Sequence, residues 1–139
     1  MSRSGYSYDL DNLELGRWRG RVASAIRGKN GQTFLREMLT ALDAIPSKTL
    51  TIEELAKDGE VCALGAVGVA RKLDMSKLDP YDRETVAATF GIKECLAFEI
   101  MDINDRCNET PEQRFSRVRA WVVKQLKESQ ESGSSGSAL

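Results

Sequence analysis

Apolar residues recur along most of this chain at three- and four-residue spacing, the period of a helix buried on one side. Phe115, Val118, Val122 and Leu126 make the clearest stripe, with Arg117, Lys124 and Lys127 on the opposite face. Before it stands Thr110-Pro111-Glu112-Gln113, which supplies a cap, a proline for the first helical position and a capping-box partner. Trp18, Val22 and Ile26 recur every fourth residue, with Ala23 and Ala25 alongside, and predict a short helix that Gly28 ends. Asn30 is placed to cap a second helix over 32–44, where Phe34, Leu35, Met38, Leu39 and Leu42 form a broad apolar face. Pro46 follows its stop. Leu96, Ile100 and Ile103, with Ala97 beside them, predict a further helix over 92–106.

Other stretches are less regular. Thr51-Ile52-Glu53-Glu54 has the form of a capping box and predicts a short helix that Gly59 ends, with a brief strand over 48–52 as the alternative. Residues 61–73 are apolar almost throughout and read as a buried helix, with Cys62, Leu64, Val67 and Ala70 inward. Gly65 and Gly68 each cost roughly 1 kcal/mol against alanine there. The close approach of another helix would offset that, and a strand pair is the structural alternative. Asp79-Pro80-Tyr81-Asp82 predicts a helix start capped by Asp79, running to Phe90 and stopping at Gly91. Residues 1–14 read as a flexible arm, 15–127 as a single helical domain and the Ser/Gly-rich 128–139 as a flexible tail. The fold class is all-α, an irregular bundle of five to seven helices, with room for one very short strand pair near 48–63.

Composition narrows the setting. The chain has 139 residues, enough for one core, and no window approaches 18 consecutive apolar positions. Neither a membrane span nor a secretory signal is expected. Three widely spaced cysteines, Cys62, Cys95 and Cys107, fit free thiols in a reducing cytoplasm better than a disulfide scaffold. The net charge of −1 conceals a segregated pattern. Residues 15–36 carry six cations and no acid, and 114–127 carry five cations and no acid. Between them, 37–113 hold 16 acids and 8 bases.

Candidate chemistry is thin. The chain has no histidine, so the commonest general base and metal ligand are both missing, and Ser–His–Asp or Cys–His nucleophiles are impossible. Carboxylate or lysine chemistry is the one catalytic route left. Cys95 and Cys107 on one helix would stand ~18 Å apart, too far to share a zinc. No metal, cofactor or catalytic residue is therefore expected. Gly28-Lys29-Asn30-Gly31 could cradle an anion on free amides, or form an interhelical turn in which glycine supplies positive φ. Glu99, Asp102 and Asp105 could hold a divalent cation, or form a solvated acidic face. The best candidate surface is basic: Arg17, Arg19, Arg21, Arg27 and Lys29 on the first helix and turn, with Arg117, Lys124 and Lys127 on the last helix. If these faces meet, about six to eight cations share one surface suited to phosphate backbone or an acidic protein. The excess of acids in the middle of the chain favours the opposite arrangement, in which both helices dock on their own chain. No helix-turn-helix signature is present.

Three short motifs carry a resemblance. Gly59-Glu60-Val61-Cys62-Ala63-Leu64-Gly65-Ala66-Val67, the pair Asn104-Asp105, and Glu109-Thr110-Pro111-Glu112-Gln113-Arg114 leading to Trp121 share the layout of a family of small phage and prophage proteins of unassigned function. The chain resembles that family over residues 17–126. The resemblance implies an accessory gene product working in bacterial cytoplasm by binding host machinery, including defence systems, and brings no activity with it. The expectation is a non-enzymatic protein with a protein partner; a nucleic-acid-binding module using helices 17–29 and 114–127 is the alternative.

Overall fold

Helix ends in this chain are set largely by single side chains, and two of them lie where the sequence places them. A computed structural model describes residues 12–137 except 53, 58 and 107, with side chains through Leu126 apart from those of Asn12 and Lys57. Thr110 Oγ1 accepts from Gln113 N at 3.1 Å and Gln113 Oε1 accepts from Thr110 N at 2.8 Å, the reciprocal pair of a capping box. The last helix accordingly begins at Pro111. Gly91, at φ 71°, closes the helix ending at Phe90 in the left-handed conformation that glycine adopts freely.

In chain order the described elements are α1 (Asn12–Arg27), α2 (Lys29–Ala44), β1 (Ala56–Lys57), β2 (Glu60–Val61), α3 (Ala63–Ala70), α4 (Arg83–Phe90), α5 (Glu94–Asn104) and α6 (Pro111–Ser137). The fold is an all-α irregular bundle with one two-residue strand pair. α2 packs against α1, α3 and α6, while α5 packs against α1, α3, α4 and α6. Leu35, Met38, Leu42, Leu64, Val67, Phe90, Leu96, Ile100 and Val122 meet in one continuous core. No described helix is long and apolar enough to cross a membrane.

Several expectations need correction. α1 begins at Asn12, so the end of the expected arm is helical; residues 1–11 lie outside the described residues. α6 continues to Ser137, past the expected end of the domain at 127, as an established helix adds one hydrogen bond per residue. No helix forms at Thr51. Its N–H donates to Val61 O at 2.8 Å and its carbonyl accepts from Asn104 Nδ2 at 2.9 Å, which commits the backbone to an extended path. Leu50 and Leu55 are thereby drawn into the core. Gly59, at φ 82°, turns the antiparallel pair Ala56↔Val61 and Lys57↔Glu60 rather than ending a helix.

The apolar segment does form a helix, but a shorter one. α3 ends at Ala70, where Leu73 N bonds Gly68 O and Lys72 stands at φ 61°. Cys62, Leu64 and Val67 are buried as expected, whereas Ala70 is exposed. The predicted close approach occurs at Gly65, where a Cβ would stand 1.7 Å from Leu55 O. The neighbour there is the strand-leading loop, not a helix. Asp79 does not cap α4. Its Oδ1 accepts from Tyr81 N in a local turn, and the cap is Asp82, which accepts from both the N–H and the hydroxyl of Thr85 at 3.2 and 2.8 Å. Two bonds at Thr85 against one at Tyr81 shift the start to Arg83.

Candidate binding surface

The two basic segments meet different fates. On α6, Arg117 forks over Glu109 with Nε contacts of 2.9 and 3.1 Å, and Arg119 pairs with Asp43 at 2.6 Å. Arg114 is 5% exposed and donates to Leu50 O at 3.2 Å and Arg106 O at 3.3 Å. These pairs hold the Glu109 and Asp43 carboxyls below their usual range, first through the hydrogen bonds from Arg117 and Arg119. Glu37 is lowered in the same way by Arg71, whose guanidinium also lies over the Phe34 and Phe90 rings. Lys124 is exposed, and the Lys127 side chain falls outside the described residues.

On α1 the arginines stay in solvent. Arg17, Arg19, Arg21 and Arg27 are exposed, as is Lys29 at the start of α2, and none pairs with an acid among the described residues. They do not form one face. At about 100° per residue, Arg21 lies within about 40° of Arg17, whereas Arg19 stands about 160° away. Arg17 and Arg21 therefore share one flank, and that flank borders α5. There they line an open groove with Gly20, Ser24, Cys95 and Lys93, the residue that caps α5. No acid lines it. A second depression continues past Ser24 and Lys93 to Lys29 and Asn30 on the first turn of α2.

α1 is fixed on α5 by Trp18, whose ring stacks on Phe98 with centroids 5.4 Å apart, while Arg83 covers Phe98 at 4.3 Å. Further along the same flank of α5, one and two turns beyond Cys95, come Glu99 and Asp102. Neither acid is among the described residues that line the groove.

α6 follows the favoured arrangement, its arginines committed to Glu109, Asp43 and backbone carbonyls, so it adds none of them to a joint surface with α1. Lys93 of α5 takes its place, joined by Lys29. Nothing in the sequence pattern singles out Lys93; its position depends on α5 packing beside α1. The Gly28–Gly31 turn also differs from expectation. Gly28 has φ −66°, so positive φ is not its role, and Asn30 lies inside α2 rather than capping it. Gly31 provides space instead, since a Cβ there would stand 1.9 Å from Ala25 O. Among the described residues no three His, Cys, Asp or Glu side chains converge on a possible metal site. Cys62 is free and buried, Cys95 is free and partly exposed, and Cys107 lies outside the described residues.

An all-α bundle with a one-sided basic groove on its first helix is as far as fold and surface define the protein's class. Comparison with protein families, characterised proteins and solved structures finds no match.

Proposed function

We propose that the protein is a non-enzymatic binding module that engages an acidic partner protein through the α1 side of the bundle. One observation carries this reading: the α6 arginines are bound by their own chain, whereas Arg17 and Arg21 with Lys93 line an open groove that has no acid among the described residues. Cations that pair with no acid among the described residues, on a slightly acidic protein, are suited to steering and selecting an anionic partner. The resemblance to small phage and prophage proteins supports an accessory role against host machinery in the bacterial cytoplasm. The nucleic-acid alternative needs the α1 and α6 cations together, and Arg117 and Arg119 are already occupied.

The test is affinity capture with wild type and with an Arg17→Glu/Arg21→Glu variant of unchanged melting temperature. A protein partner held by the wild type and lost from the variant is expected. Equal capture by both, or capture of nuclease-sensitive nucleic acid that falls steeply with salt, would overturn the reading.

A further inference from the structure

Residues 71–82 join α3 to α4 without helix or strand. Among the described residues, the hydrogen bonds of 74–82 close local turns: Ser76 N to Asp74 Oδ1, Leu78 N to Met75 O, Tyr81 N to Asp79 Oδ1 and Asp82 N to Asp79 O. This strap is tied to the body by the packing of Leu73, Met75 and Leu78 on the core. Met75 is the middle anchor, and its seat is made by a missing side chain: a Cβ on Gly68 of α3 would stand 2.2 Å from Met75 Sδ. Met75 also lines an open depression between the strap and residues 54–56, with Leu78 and Pro80. Met38 and Met101 are sealed in the core at 0% and 1% exposure, whereas Met75 is half-buried. Its thioether combines a tight apolar seat with a way in from solvent.

We infer that Met75 is a site of reversible oxidation by peroxides and that its sulfoxide lets the 74–82 strap lift from α3. The step is a two-electron oxygen transfer: the O–O bond of hydrogen peroxide breaks, an S–O bond forms at Sδ, and water leaves. The sulfoxide is polar, and burying it without a hydrogen-bond donor is costly. Against Gly68 it meets a helix whose amides bond within α3, and its oxygen goes unsatisfied. Turned into the depression, the oxygen reaches water and the strap loses its middle anchor. Leu73 and Leu78 remain, so the change is local opening rather than global unfolding. Methionine sulfoxide reductases reverse the modification. The inference is independent of the α1 groove.

The test treats the full chain with hydrogen peroxide, then with dithiothreitol to reverse disulfides and sulfenic acids, and maps the added oxygen by mass spectrometry. Met75 is expected to be oxidised well before Met38 and Met101. Trypsin cleavage after Lys77 should then be about tenfold faster, because cleavage follows the open population of the strap. Sulfoxide reductase should restore the slow rate. Met75→Leu should keep the strap seated and make its cleavage indifferent to peroxide. Gly68→Ala, which pushes the same side chain aside, should speed cleavage after Lys77 without oxidant. Oxidation of Met38 or Met101 as fast as Met75 would overturn the site. An unchanged cleavage rate in the sulfoxide or in Gly68→Ala, or a peroxide effect that persists in Met75→Leu, would overturn the release of the strap.

Discussion

Asn104, 1% exposed, ties three segments together with one amide. Its Oδ1 accepts from Ala63 N at 3.0 Å, capping α3, and its Nδ2 donates to Thr51 O and to Asp105 Oδ1, both at 2.9 Å. Arg114 holds the same loop from the other side through Leu50 O, and Cys62 Sγ accepts from Gly65 N at 3.4 Å. Cys62, Asn104 and Arg114 thus gather around residues 50–55, where they fasten that loop between α3, α5 and α6. Their role here is structural. Replacing Asn104 by alanine leaves a buried N–H and a carbonyl without this partner, at roughly 1–3 kcal/mol each. Urea unfolding should show a loss of about 2–6 kcal/mol; an unchanged midpoint would mean that the loop is held by other contacts.

Among the elements, glycine separates local from tertiary demands. A Cβ on Gly65 would meet Leu55 backbone at 1.7 Å, whereas one on Gly68 would meet the Met75 side chain at 2.2 Å. Backbone at Leu55 is fixed by the bond from Cys62 N, while a methionine side chain can turn aside. Gly65→Ala should therefore cost ~1–3 kcal/mol by overpacking, and Gly68→Ala distinctly less; equal losses in thermal melts would contradict this. Lys72, at φ 61°, occupies a position that favours glycine. Lys72→Gly should raise stability by about 1 kcal/mol, read in the same melts. The same separation explains what the sequence shows. Helix ends governed by neighbouring residues are legible, as at Thr110–Gln113 and Gly91. The Thr51 box is overridden by partners 10 and 53 residues away, Val61 and Asn104. A hairpin cue was present in Asp58-Gly59, since that dipeptide suits a two-residue turn. The groove was half legible: Arg17 and Arg21 stand out in sequence, but Lys93 joins them only through the docking of α5 on α1.

For the whole molecule, charge pairing sets both the pH response and the tolerance to substitution. The Glu37, Asp43 and Glu109 carboxyls are held low by their arginines, so the folded values lie below the unfolded ones. Their contribution is fully present above the ordinary carboxylate range, about pH 4–5, and is lost as pH falls through the lowered folded values. With no histidine to titrate, the melting temperature should stay nearly flat between about pH 6 and 8 and fall below about pH 4.5. A rise on acidification would contradict the pairing. Charge reversal then tells the two basic helices apart. Arg117→Glu sets a carboxylate beside Glu109, whose side chain is only 14% exposed and which also neighbours Arg114 at 3.6 Å. Losing hydrogen bonds between charged groups there should cost about 1.5–3 kcal/mol, with like-charge repulsion adding to it. Arg17→Glu and Arg21→Glu break no ion pair among the described residues, so each should stay within about 0.5 kcal/mol of wild type. The sequence pattern, with its excess of acids between the basic segments, predicts losses for both helices. Thermal melts of the three variants decide between these outcomes: a loss confined to Arg117→Glu leaves the α1 cations free for a partner, and comparable losses at Arg17 and Arg21 would show that they serve the fold.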